Sequence, residues 1–177
     1  MRHYAVTALG ADQPGIVAAL TGELFRQGGN LEDVSSTVLR GQFVVMLVVS
    51  MPPNVDAESF GGSLAGAVQP LGVTVTVRQV QGDAPTRVAS THVVVAYGSD
   101  RPGIVAAVTG LMAERGIGIT DLSCRLAGED RGGFYVMVAE VDLPETVDPE
   151  DIARELARSA DDLGVDLTFR PVEVDRL

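Results

Sequence analysis

The chain has 177 residues, 46% of them hydrophobic, and a formal net charge of −11 at pH 7. Its 13 basic residues are all arginine, scattered along the chain, and Cys124 is its one cysteine. These counts argue against a basic nucleic-acid-binding face, an internal disulfide and a thiolate metal cluster. The longest apolar run, FVVMLVV (43–49), suits a buried strand and is too short to cross a membrane. No basic segment followed by an apolar one opens the chain, so the cytoplasm is the expected compartment.

The first predicted element is a strand, His3–Leu9, rich in β-branched and aromatic residues. Pro14–Gln27 follows as a helix, with Ile16, Val17, Leu20 and Leu24 on one face. Gly28-Gly29 stops it. Asn30–Leu39 reads as a strand, Arg40-Gly41 as a tight turn and Gln42–Met51 as a further strand, ended by Pro52-Pro53-Asn54. Asp56–Gln69 is a weaker helix carrying Phe60, Leu64 and Val68. Val73–Val80 alternates with period two and closes a β-α-β-β-α-β series.

The series then recurs. GADQPGIVAALTG (10–22) and GSDRPGIVAAVTG (98–110) agree at ten of thirteen positions, at an offset of 88. A repeat of that length is a small domain rather than a solenoid unit. The second copy predicts a strand at Thr91–Tyr97, a helix at Pro102–Arg115 stopped by Gly116, and strands at Gly118–Leu126 and Gly133–Leu143. GEDRGG (128–133) makes a turn three residues longer than its counterpart. A helix at Pro149–Leu163 and a strand at Val165–Val174 complete the copy. The expected domains are 1–81 and 91–177, joined by a polar linker at 82–90.

This order specifies an α+β fold: two ferredoxin-like βαββαβ domains, each an antiparallel sheet with two helices on one face. FVVMLVV leaves little room for a polar alternate face. Something is therefore expected to cover part of that sheet, either the sister domain or a second chain.

The repeated turn is the candidate site. Pro14 and Pro102 are expected at the first helical position, where a missing N–H costs nothing. The N–H groups of Gly15, Ile16 and Val17 then lack intrahelical acceptors and, with the helix dipole, form an anion site. Gly15 has no Cβ to hold a ligand away. Asp12 could cap the helix or turn outward to meet a cation. An anion site beside an aspartate suits a zwitterion, a free α-amino acid. The same holds for Asp100, Pro102, Gly103 and Ile104. The plainer reading is ordinary turn chemistry.

Asp-x-Pro-Gly-Ile-Val opening a helix, followed by Gly-x-Asn-Leu or Gly-x-Gly-Ile opening a strand, resembles the ACT domain family. Two copies over nearly the whole chain resemble its tandem regulators of transcription. The resemblance implies a non-catalytic regulator of amino-acid metabolism, with no cofactor and no metal. It implies domains that pair side by side, in a homodimer or within the chain, and glycine or serine as the leading ligand. It implies a ligand lying between the first turn of one domain and the second strand of its partner. At one site the resemblance implies Asp12, Pro14, Gly15 and Ile16 with Asn30 and Leu31. At the other it implies Asp100, Pro102, Gly103 and Ile104 with Gly118 and Ile119. Asn30 offers a side-chain amide and Gly118 only backbone, so the two half-sites are unequal. Asp12 departs from the Asn that many amino-acid-binding relatives carry. Without a helix-turn-helix or a basic face, the output is expected through a regulatory protein partner.

Other candidates are weaker. His3 and His92 fall out of register in the repeat, opposite Thr91 and Tyr4, and do not form matched ligands. Cys124 matches Ser36 and is expected to be a small buried side chain rather than a nucleophile. The acidic run 142–151 lacks calcium-loop spacing. Arg101 alone does not make the phosphate cradle of an acylphosphatase. The alternative to sensing is an interaction module whose turns merely end helices, with a small hydrolase third.

Overall fold

The computed structural model describes residues 1–81, 90–127 and 134–172. The chain divides into two compact units, Met1–Ala84 and Pro85–Leu177.

The first unit runs β1 (Arg2–Ala11), α1 (Ile16–Arg26), β2 (Asn30–Leu39), β3 (Gln42–Met51), α2 (Ala57–Val68), a 3-10 turn (Gln69–Leu71) and β4 (Thr74–Val80). The four strands pair antiparallel in the order β2-β3-β1-β4. Period two sorts β3 between two faces. Val45, Leu47, Val49 and Met51 are buried with Tyr4, Val6 and Ala8 of β1. Leu20 and Leu24 of α1 and Phe60, Leu64 and Val68 of α2 complete that core. Val44, Met46 and Val48 alternate with the buried set and lie on the opposite face, where Met46 is 51% exposed. FVVMLVV thus serves both faces of one strand.

The β2–β3 connection is the tight turn expected: Arg40 and Gly41 both take positive φ, 49° and 76°, as a two-residue hairpin requires. Gly10 of β1 has a packing reason. A Cβ there would lie 2.9 Å from Val73 Cγ2 and 3.1 Å from its Cα. The chain leading into β4 therefore passes against bare backbone.

The second unit repeats the plan with β5 (His92–Ser99), α3 (Ile104–Glu114), β6 (Gly118–Ala127), β7 (Phe134–Asp142), α4 (Pro149–Leu163) and β8 (Val165–Pro171). Its order is β6-β7-β5-β8. Gly98 repeats the close approach, its absent Cβ 2.8 Å from Val165 Cγ1. Gly10 faces Phe43 and Gly98 faces Tyr135. The repeat offset is therefore 92 (135 − 43) in these strands, four more than before the hairpin rather than the three expected. The GEDRGG turn itself, the linker over 82–89 and the end of the last predicted strand, 173–174, lie outside the described residues.

Candidate functional site

The repeated turn connects β1 to α1. The Asp12 N–H donates to Gly41 O at 2.8 Å, and Gln13 Nε2 donates to Leu71 O at 2.6 Å. Gly15 then takes φ 102°, ψ −13°, a left-handed backbone that L side chains rarely adopt. The helix starts only after it. Pro14 is therefore not the first helical residue, contrary to expectation, because the left-handed Gly15 stands between it and Ile16. Ala19 N–H to Gly15 O is the first helical bond. The amides left without intrahelical acceptors are those of Ile16, Val17 and Ala18, one residue later than the sequence suggests.

No side chain caps this end. Asp12 is exposed and does not take the capping role. A Cβ built on Gly15 would meet nothing within 4 Å. The Ile16 side chain is 2% exposed and belongs to the core, so only its amide is available to a ligand. The helix start is thus bare, positive and open, which favours an anionic group.

The second turn has the same backbone. Gly103 takes φ 104°, ψ −13°, no side chain caps α3, and nothing lies within 4 Å of a Cβ there. Pro102 again precedes the N-cap, and the Ile104 side chain is buried. Arg101 Nη1 donates to Leu163 O at 3.3 Å. Arg101 and Gln13 therefore do one job with different chemistry, each holding its turn to a carbonyl just before the last strand of its unit, Leu163 at the end of α4 and Leu71 in the 3-10 turn after α2. Only the position-by-position comparison of the halves could have raised this pair from sequence.

The other two helices start differently. The Asp56 carboxylate accepts from Ser59 N at 2.9 Å and caps α2. Asp148 accepts from Glu150 N at 2.9 Å at the start of α4. Ser59 holds the Asp56 carboxyl below the usual carboxylate range through its backbone and side-chain hydrogen bonds.

Asn30 and Leu31 do not meet the turn of their own unit. Asn30 pairs with Ser50, which pairs with His3, whereas Ala11 pairs with Gln42 at the other end of the sheet. Eight strand residues separate the two rows, about 26 Å at ~3.3 Å each. Gly118 and Ile119 stand likewise opposite Asp142 and Val141, far from Ser99 and Phe134.

The surroundings of the two turns differ. Near the second, burial, then the hydrogen bond and charge of Cys124, then the negative Asp100, push the Tyr135 phenol up to about 12. The first unit has Phe43 and Ser36 at the matching places. Cys124 is exposed, not buried as expected, because β6 is the edge strand of its sheet. His3 Nε2 lies 3.3 Å from Glu32 Oε1. His92 stacks on Phe169 with centroids 4.8 Å apart, and burial lowers its pKa. Among the described residues no set of three or more His, Cys, Asp or Glu is arranged to hold a metal ion. None of the described helices is long and apolar enough to cross a membrane.

Known proteins match this arrangement. A UPF0237 protein of Methanopyrus kandleri is 42% identical over 79 residues, 44% of this chain and 88% of its own length. The phosphoserine phosphatase of Mycobacterium tuberculosis is 31% identical over 118 residues, 64% of this chain but only 28% of that enzyme. A structure of unknown role from Galdieria sulphuraria superposes with TM-score 0.82 at 24% identity, over 97% of this chain and 99% of its own. A protein provisionally named a glycine cleavage system transcriptional repressor superposes with TM-score 0.64 at 18% identity, over 98% of both chains. At these identities the two structures share the fold. ACT-domain models match residues 3–78 and 92–158, and with two such units of one topology the chain belongs to the ACT family as a tandem of two ACT domains.

Proposed function

We propose that this tandem ACT protein is a non-catalytic sensor of a small amino acid, glycine or serine, acting through a regulatory protein partner in transcriptional control. The observation that carries the reading is the pair of open helix starts. The amides of Ile16, Val17 and Ala18, and of Ile104, Val105 and Ala106, receive the ligand carboxylate. Asp12 or Asp100 receives its ammonium. The transcriptional role rests on the provisional name of the repressor-like neighbour. With a net charge of −11 and no lysine, the output is a protein contact rather than direct DNA binding.

Turn and strand start stand about 26 Å apart in one sheet. A single ligand therefore touches both sets only if another ACT domain supplies one of them, which favours a paired assembly. Binding then acts by favouring one assembly over its alternative. Glycine has five heavy atoms. At a ceiling of about −1.5 kcal/mol per atom its Kd is no tighter than a few micromolar.

A second reading, a scaffold without a ligand, is favoured by the apolar helix-free face of the first sheet at Val44, Met46 and Val48. Calorimetry separates the two. Sensing expects saturable heat with glycine or serine, weakened at least tenfold in Asp12→Ala plus Asp100→Ala while the melting temperature holds. Silence with all twenty amino acids leaves the scaffold.

A further inference from the structure

We propose that the second unit carries a site for a small organic cation, a guanidinium or alkylammonium group, in a hollow whose lining side chains have no counterpart in the first unit. The hollow has a volume of about 410 Å³ and is lined by Tyr97, Ser99, Phe134, Asp161 and Asp166 among others. Ligand pockets span roughly 300–1,000 Å³, so this one suits a small molecule.

Three features point to a cation. The Tyr97 and Phe134 rings stack with centroids 5.4 Å apart and planes 12° from parallel. They stay 44% and 50% exposed, so ring face is left for an incoming group, and aromatic faces attract cations. Asp166 pairs with Tyr97 across the β5–β8 ladder, on the same face. Asp161 sits in the last turn of α4, which holds no basic residue. A carboxylate there faces the negative end of the helix dipole, a placement the fold itself does not reward. Neither carboxylate is in an ion pair among the described residues. Arg101 stands at the rim, with Nη1 3.0 Å from where a Cβ of Gly164 would lie. Two carboxylates against one guanidinium leave the hollow one negative charge to be balanced. A delocalised, weakly hydrated cation loses least on entering it.

The first unit supplies the contrast. By strand register and turn position the matching residues are Leu9, Gln42, Gln69 and Thr74. They offer no ring and no charge. The hollow therefore goes beyond the paired amino-acid sites, which the repeat supplies twice.

The test is calorimetry on the full chain with agmatine and with choline as probes, in potassium chloride to screen bulk charge. The variants place first-unit residues in the second unit: Asp161→Gln with Asp166→Thr, and separately Tyr97→Leu. Glu150→Gln, eleven residues back along α4 and so about 16 Å away, removes one charge as a control. Saturable binding to the wild type is expected, weakened at least tenfold by the paired aspartate change and within twofold in Glu150→Gln. Thermal melting checks that each variant is folded, and the aspartate pair decides should Tyr97→Leu unfold. No saturable binding of either probe, or equal weakening by Glu150→Gln, overturns the proposal.

Discussion

At the start of α1, Gly15 holds φ 102°, ψ −13°; at the start of α3, Gly103 holds φ 104°, ψ −13°. Backbone, open space and the close-packed glycine at the end of the strand are the same in both turns. The side chains around them are not. Gln13 stands against Arg101, Phe43 against Tyr135, Ser36 against Cys124 and Asn30 against Gly118. What both copies keep is main-chain geometry, and what they vary is the chemistry a ligand would meet beside it. Duplication thus preserved one bare helix start and left the side chains around it free to differ.

The sharpest way to break that comparison is to crowd the shared backbone. Gly10→Ala and Gly98→Ala each push a Cβ to within 3 Å of a valine. Each is expected to cost about 1–3 kcal/mol, the range for overpacking, and by similar amounts in urea unfolding; a large inequality breaks the equivalence of the units. Gly15→Ala and Gly103→Ala meet no neighbour, so their cost, about 1–2 kcal/mol, is the left-handed backbone alone. Next come the helix starts. Asp56→Ala and Asp148→Ala should each lose about 1 kcal/mol as caps, while Asp12→Ala and Asp100→Ala stay within about 0.5 kcal/mol. A cap-sized loss at Asp12 would mean that it caps α1 in solution.

The smallest effects are in pH. The Asp56 carboxyl is lowered, so its contribution is complete above the ordinary aspartate pKa. It is lost as pH falls through the lowered value, and Asp56→Ala should flatten the acid limb of a stability profile. Tyr135 is raised to about 12. The folded state then holds a proton that the unfolded state releases near 10, and stability falls as pH rises through that window. Ultraviolet titration should show a late phenol step that is absent in Tyr135→Phe.

The repeat, the element order and most element bounds were legible because period two and the i, i+4 spacing are local properties. The helix at Pro149–Leu163 matches its expected bounds, with Asp148 as cap and Gly164 as stop. What failed depended either on a single backbone angle or on contacts distant in sequence. Proline before glycine is compatible with either residue next to the helix start, and only the φ of Gly15 decides. Cys124 looks like a core residue until strand order puts β6 at an edge. The purpose of Gly10 is invisible without Val73, 63 residues later. The candidate turn is legible from its repetition, but the hold of Gln13 on Leu71 and of Arg101 on Leu163, and the Tyr97–Phe134 hollow, are not, because each joins segments distant in sequence.

The fastening of the first turn bears on how it yields. Exposed connections are normally the first segments to open and exchange their amides with solvent. Here the Asp12 amide is bonded to the β2–β3 hairpin and the Gln13 side chain to the 3-10 turn after α2, so three connections at one end of the sheet are tied to one another. The Asp12 amide is in consequence expected to exchange slowly although its loop is exposed, and its deuteration rate would report the integrity of that whole end.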